Sequence, residues 1–121
     1  MKIKKLNFDF SICKVKDYSK INLDSQYYFI GKTDEENSLV CITQDIPENI
    51  IEHDDNWNGF RIQDTLNLSL IGILSQISSL LAKNRIGLFT VSTFNTDYIF
   101  TKKQNFLKAL NVLSKAGYEV D

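Results

Sequence analysis

Several residue types are scarce in this sequence, and each scarcity excludes a class of protein. The 121 residues include only two cysteines, one proline and five glycines. Two cysteines are too few for a disulfide scaffold, and so little proline and glycine excludes collagen-like and proline-rich chains. Neither sign of charge is in excess, because 14 basic and 15 acidic residues give a net charge of -1. We therefore expect neither nucleic acid nor a membrane surface as a partner.

Long hydrophobic runs are also lacking. The most apolar segment, residues 66–82, is interrupted by asparagine, serine and glutamine, so it is too polar to span a bilayer. Residues 1–5 are followed by no apolar run of the kind found in a signal peptide. With 43% hydrophobic residues, the composition instead predicts a soluble, cytoplasmic protein that has one compact domain, or two small ones sharing a core.

The second half of the sequence alternates between strand-like and helix-like hydrophobic periods. Strands are expected at 57–62, 88–93, 98–101 and 118–120, with one helix ending at Asn84 or Gly87 and a second ending at Gly117. Ser69 is a candidate cap for the first helix, and Thr101 and Gln104 have capping-box spacing for the second. The resulting order β-α-β-β-α-β predicts an α+β, ferredoxin-like unit with helices on one face of an antiparallel sheet.

The first half has the alternation and short apolar runs that predict strands, at 8–15, 27–30 and 39–42. The acidic and amide-rich segment 44–56 predicts a loop, with room for one helical turn after Pro47. Residues 17–26 leave space for only a short helix. We therefore divide the sequence into residues 1–56, a shortened version of the unit, and residues 57–121, the complete unit.

No combination of residues predicts a catalytic or metal centre. The sole histidine, His53, adjoins two aspartates, but adjacent residues seldom point at one ion, so a solvated loop is expected. Cys13 and Cys41 lie in apolar strands, where buried, reduced cysteines are expected. An enzyme would need a cleft that joins His53 to one of these cysteines, which the sequence does not require. We expect no enzyme activity, no cofactor and no metal.

Two segments allow a binding interpretation. Gly72, near the start of an apolar helix, permits close approach of another backbone or of a ligand, and free N–H groups at a helix start can receive a carboxylate. The polar hairpin segment 92–98 contains Asp97, whose carboxylate could hold an ammonium group. Together they could bind both ends of a zwitterionic amino acid. Alternatively, Gly72 only allows helix–sheet packing and Asp97 only forms an Asx turn.

The same two segments carry a family resemblance. Residues 70–74, 80–82 and 86–89, and above all the run S-T-F-N-T-D-Y-I at residues 92–99, resemble the ACT domain. More narrowly, the sequence resembles the small bacterial tandem-ACT proteins that are related to the cytosolic arginine sensors of animals. Residues 35–41 and 57–63 resemble the first-half motif of that group.

The resemblance implies a regulatory module that binds an amino acid and has no catalytic activity. ACT domains commonly bind amino acids at interfaces between two such units and usually pair side by side, so it also implies a homodimer. The ligand-binding residues it implies, at an interface between the two halves, are Ser38, Leu39, Leu70, Ile71, Gly72, Ile73, Thr96 and Asp97. The alternative function is a structural or interaction protein that forms a dimer without a small-molecule ligand.

Overall fold

A computed structural model describes residues 1–63 and 72–121. Along the chain the elements are β1 (Lys2–Lys5), β2 (Phe10–Val15), β3 (Tyr28–Lys32), β4 (Asn37–Ile42), a 3-10 turn (Thr43–Asp45), β5 (Ile50–Ile62), α1 (Ile73–Lys83), β6 (Leu88–Ser92), β7 (Asp97–Lys102), α2 (Lys103–Lys115) and β8 (Glu119–Val120). The chain forms two compact units. Residues 8–57 are named here the N-terminal unit, and residues 1–7 with 58–121 the C-terminal unit. The division into two ACT-like halves at residue 57 stays a prediction.

The C-terminal unit has the predicted element order. The second part of β5 is followed by α1, β6, β7, α2 and β8, which confirms the ferredoxin-like α+β fold. β7 pairs with β5 and β6. β1, which the sequence did not predict, is antiparallel to β5 and parallel to β8. It escaped prediction because Ile3 is the only buried side chain among its lysines.

One hydrophobic core joins the helices and strands of the C-terminal unit. Each large apolar side chain in it contributes about 1.5–3 kcal/mol when it leaves water. The buried members are Ile3, Phe60, Ile62, Ile77, Leu81, Ile86, Ile99, Phe106, Ala109, Leu110, Leu113 and Tyr118. Those of the helices recur at the spacing that indicated the helices in the sequence, so burial explains the pattern.

The C-terminal ends of both helices agree with the sequence, and the N-terminal end of α2 differs from it. α1 ends at Asn84 as predicted, and it begins after Gly72, whereas the proposed cap Ser69 lies outside the described residues. The capping box predicted for α2 is wrong. Thr101 is fully buried in β7, and Lys102 precedes the helix without a side-chain cap, because the strand runs directly into the helix.

The N-terminal unit is an antiparallel sheet. Its strand order is β3-β4-β2-β5, where only the first part of β5 is involved. Residues 8–57, all of them described, contain no α-helix, which agrees with a shortened first half. The short helix considered for residues 17–26 is absent there, and the 3-10 turn precedes Pro47 instead of following it.

The expected loop over residues 44–56 is wrong from Ile50 onward, because these residues form the start of β5 and pair with β2. In this unit β5 is an edge strand with mostly exposed side chains, and an edge tolerates charged residues that a central strand would not. Its polar composition therefore resembled that of a loop. Among the described residues, no helix is both long enough and apolar enough to cross a membrane.

Gly59 of β5 is a position where packing requires glycine. A Cβ there would lie 2.7 Å from the ring of Phe100, which is fully buried and stacks on Phe89 at 4.8 Å. Because such a ring has little room to move, we expect Gly59→Ala to lower the free energy of unfolding by about 1–3 kcal/mol. Urea denaturation measures this change. Gly87→Ala is the control, since a Cβ there meets no described atom within 4 Å, and equal losses in both variants would contradict the packing explanation.

Candidate functional site

The hairpin between β6 and β7 presents Asp97 at its closed end. Ser92 and Asp97 are the last paired residues, and the Ser92 hydroxyl donates a hydrogen bond of 2.6 Å to the Asp97 carboxylate. Within the turn, the Thr93 N–H donates to the Thr96 carbonyl at 2.8 Å. The carboxylate of Asp97 is therefore held on a closed turn while its side chain remains partly exposed.

Thr96 attaches this turn to the end of β5. Its side chain is only 7% exposed, and its hydroxyl donates a 2.7 Å hydrogen bond to the carbonyl of Ile62, the last residue of β5. The turn thus lies beside the point from which the chain continues toward α1. Because the hydroxyl proton is used in this bond, Thr96 can offer a ligand only an acceptor lone pair.

Gly72 owes its place to backbone conformation. Its φ of +88° lies in the left-handed region, which side chains other than glycine rarely adopt. A Cβ there would meet no described atom within 4 Å, so close packing against described residues does not explain the glycine. The Gly72 carbonyl accepts the N–H of Gln76 at 2.9 Å, and no side chain of residues 1–63 or 72–121 caps the start of α1. Within the described part of the chain, the first N–H groups of the helix therefore have no side-chain acceptor.

Ile73, the first residue of α1, lines a cavity of about 180 Å³ with Met1, Gln76 and Tyr118. The Tyr118 hydroxyl donates a 2.6 Å hydrogen bond to the side-chain oxygen of Gln76, and burial raises the pKa of Tyr118. These contacts connect the beginning of α1 to the C-terminal end of the chain. The sequence patterns did not indicate this cavity, because its walls come from residues far apart in the chain.

Four predicted ligand residues remain, Ser38, Leu39, Leu70 and Ile71. Leu70 and Ile71 are outside the described residues. Ser38 and Leu39 belong to β4 of the N-terminal unit, where Leu39 is buried in the core and the Ser38 carbonyl accepts the Tyr18 hydroxyl at 3.1 Å. The structure therefore brings Thr96 and Asp97 together on one turn and Gly72 and Ile73 together at a helix start. The assignment of all eight residues to one site stays a prediction.

A second polar cluster, missed in the sequence, lies in the N-terminal unit. His53 and Asp55 are in β5 and not in a loop, and the ring Nδ1 of His53 is 2.7 Å from Oδ1 of Asp55. The Ser11 hydroxyl donates to the same oxygen at 2.6 Å and lies 2.9 Å from the Thr43 hydroxyl. His53 and Asp55 are two residues apart, so on a strand they project to the same face. The sequence did not indicate this strand because its residues are polar and do not alternate with apolar ones.

The expected burial of the cysteines is confirmed, and the structure also places His53 near one of them, which the sequence did not require. Cys13 and Cys41 are both buried and both free thiols. Cys13 on β2 pairs in register with His53 on β5, so the histidine lies beside a cysteine after all. Hydrogen bonding and charge from Asp55 raise the pKa of His53. No group of three or more metal-ligating side chains occurs within residues 1–63 and 72–121.

A family profile described as the ACT domain matches residues 52–115, more than half of the 121-residue chain. The chain belongs to the ACT domain family. ACT domains are regulatory and commonly bind amino acids. The match begins within β5 and covers both helices and the Asp97 hairpin, so the family features lie mainly in the C-terminal unit. Among proteins with curated functions, none matches this sequence.

Solved structures share the fold over nearly the whole chain of this ACT protein. A protein from Agobacterium tumefaciens is 29% identical with a TM-score of 0.85, covering 99% of this chain and 91% of its own. A Vibrio cholerae protein of unknown function, described as a possible transport protein, is 18% identical with a TM-score of 0.71, covering 94% and 88%. Aspartate kinase from Clostridium acetobutylicum is 14% identical with a TM-score of 0.64, covering 94% of this chain and 33% of the kinase.

The hydrogen bond from Thr96 to Ile62 is expected to stabilise the ACT fold. Thr96→Val keeps the shape of the side chain but removes the donor, so the carbonyl of Ile62 loses a buried partner. We expect the free energy of unfolding to fall by about 1–3 kcal/mol, as measured by urea denaturation. Thr90→Val, at an exposed position on β6, is the control and should change stability by less than about 0.5 kcal/mol. Equal effects at both positions would contradict a structural role for this bond.

The pKa of His53 is expected to depend on Asp55. NMR titration of the imidazole should give a pKa above the ordinary value of 6.5, and Asp55→Asn should lower it. Because the folded-state pKa is raised, stabilisation by this pair is complete below the ordinary value and is lost as pH rises through the raised one. Glu52→Gln is the control, since it removes a carboxylate at the adjacent position of β5, whereas the shift in the pKa of His53 comes first from Asp55. An unchanged pKa in Asp55→Asn would show that the pair does not form in solution.

Proposed function

We propose that this ACT protein is a non-catalytic regulatory module that binds a free amino acid. One observation carries the proposal: the Asp97 carboxylate is held by Ser92 on a turn that Thr96 joins to Ile62, at the end of β5 that leads toward α1. The turn supplies an anion for an ammonium group. The start of α1, which no described side chain caps, supplies N–H groups for a carboxylate.

The α-carboxylate and the α-ammonium group of an amino acid require different hydrogen-bonding partners. An α-carboxylate is favoured at a helix N-terminus, where unpaired N–H groups point outward and the helix dipole is positive. An α-ammonium group requires acceptors, and an ionised acceptor makes a hydrogen bond about twice as strong as a neutral one. The proposed roles are therefore a carboxylate on the backbone of Gly72 and Ile73, and an ammonium group on Asp97.

Family resemblance supplies the rest of the proposed site. It assigns backbone contacts to Ile71, a further acceptor to Thr96, and additional contacts to Leu70, Ser38 and Leu39. The related arginine sensors make arginine the first ligand to test, because Asp97 could then bind either the ammonium group or the guanidinium group. Binding would regulate a separate protein by favouring one of two arrangements of the ACT units in a homodimer.

Asp97→Asn should abolish amino acid binding while the fold survives, since an amide keeps the size of the carboxylate but loses its charge. In a thermal-shift screen of the standard amino acids, a ligand at 100 times its dissociation constant adds about 2.7 kcal/mol to stability. We expect a selective shift for arginine or another amino acid, absent in Asp97→Asn. Glu119→Gln, which removes an exposed carboxylate from β8, is the control and should keep the shift.

Either of two results would contradict the proposed site. Normal binding by Asp97→Asn would show that Asp97 is not part of the site. No thermal shift with any amino acid would show that the protein binds none of them. In the second case a dimeric interaction module is the better function, and Phe94 favours it. This aromatic side chain is fully exposed on the β6–β7 turn, where it could contact a partner chain. Size-exclusion chromatography with light scattering would then show a dimer that Phe94→Ser weakens.

A further inference from the structure

Cys13, Cys41 and His53 lie on one face of the sheet in the N-terminal unit. Cys13 pairs in register with Leu39 of β4 on one side and with His53 of β5 on the other. Cys41 pairs with Ser11, two residues before Cys13. Residues that oppose each other across antiparallel strands project to the same face, and so do residues two apart along a strand. The two thiols are therefore diagonal neighbours with the imidazole next to one of them.

The two thiols are in contact but not bonded. Both cysteines are free thiols, and both belong to the same buried cluster. Cys13 is the member of the pair that lies beside a cationic side chain, so it is the one suited to carry the negative charge. The asymmetry follows from position, since Cys13 and not Cys41 is the register partner of His53.

His53 is held in place for this role by Asp55. The 2.7 Å contact between Nδ1 and the Asp55 carboxylate orients the ring, and the Ser11 hydroxyl orients the carboxylate in turn. A carboxylate partner also favours the imidazolium form, and a nearby cation favours a thiolate. The negative charge of Asp55 itself opposes a negative charge on Cys13. A thiolate at Cys13 therefore needs the positive charge of His53 to offset that of Asp55.

We propose that Cys13 is a site of reversible oxidation by hydrogen peroxide, with Cys41 as the resolving thiol. The Cys13 thiolate attacks one peroxide oxygen, the O–O bond breaks, and the departing hydroxide takes a proton from the imidazolium of His53 to become water. Cys13 is then a sulfenic acid. The Cys41 sulfur attacks the Cys13 sulfur, an S–S bond forms, and the hydroxyl group leaves with the Cys41 proton as a second water. Two thiols are oxidised and one peroxide is reduced to two waters.

The ionisation of the two thiols agrees with this order of events. The hydrogen bond from Cys41 and the charge of His53 lower the pKa of Cys13, against the opposing effects of burial and of Asp55. The same hydrogen bond and burial raise the pKa of Cys41. Thiolates that react with peroxide have a lowered pKa, are reached by solvent and often stand beside a resolving cysteine, and Cys13 lines a cavity of about 380 Å³ together with His53. The proposal does not depend on amino acid binding by the C-terminal unit.

Peptide mass spectrometry after treatment with hydrogen peroxide tests the proposal. We expect the wild-type chain to form an intramolecular Cys13–Cys41 disulfide that dithiothreitol reverses. In Cys41→Ser, a 1,3-diketone should trap a sulfenic acid on Cys13. In Cys13→Ser, Cys41 should remain a thiol under the same conditions.

The pair of single-cysteine variants also controls for unfolding. Cys13 and Cys41 are 3% and 2% exposed, so opening of the unit would expose both to a similar degree. Equal oxidation of the two variants, oxidation only in urea, or no disulfide in the wild type would each overturn the proposal. Circular dichroism establishes that each variant is folded before the comparison.

A second experiment tests the role of His53 in the oxidation of Cys13. His53→Gln should slow oxidation of Cys13 severalfold, because the thiolate loses its cation and the leaving hydroxide loses its proton donor. Glu52→Gln is the matched control, since Glu52 is the adjacent residue on β5 and pairs with Lys14 instead of Cys13. An unchanged rate in His53→Gln would overturn the role of the histidine, and an equal loss in Glu52→Gln would do the same.

Discussion

The strand β5 is the constraint on which both candidate sites depend. Its first residues pair with β2 and carry His53 and Asp55, and its later residues pair with β1 and end at Ile62. Ile62 accepts the hydroxyl of Thr96, which holds the Asp97 turn. Because backbone pairing determines where every side chain of a strand projects, the register of this one strand positions residues of both sites.

The two sites use opposite physical environments. Asp97 is partly exposed, and no side chain among the described residues caps the start of α1, so the proposed ligand site is open to water. Cys13 and Cys41 are buried, so a charge on Cys13 needs the imidazolium of His53 to offset the loss of hydration. An exposed site is suited to a ligand that binds and dissociates reversibly. A buried thiol pair is suited to a small oxidant and to an internal partner.

The ACT profile lies for the most part in the C-terminal unit. Aspartate kinase and the regulatory subunit of aspartate kinase from Thermus thermophilus are among the proteins that share the fold. At 14% and 7% identity they share the fold, and the present chain spans only 33% of the Clostridium acetobutylicum kinase.

By itself the sequence determined the β-α-β-β-α-β order and the burial of both cysteines, and it limited the end of α1 to Asn84 or Gly87, because each is a local consequence of hydrophobic period or of a single residue type. The tertiary structure alone decided that β1 joins the sheet, that residues 50–56 form a strand, and that Thr101 is buried and caps nothing. It also placed His53 opposite Cys13, a contact between residues forty positions apart. Such pairings arise from strand register, which is set by backbone hydrogen bonds between distant segments. Hydrophobic periodicity can indicate that a segment is a strand, but it does not indicate which strand pairs with it.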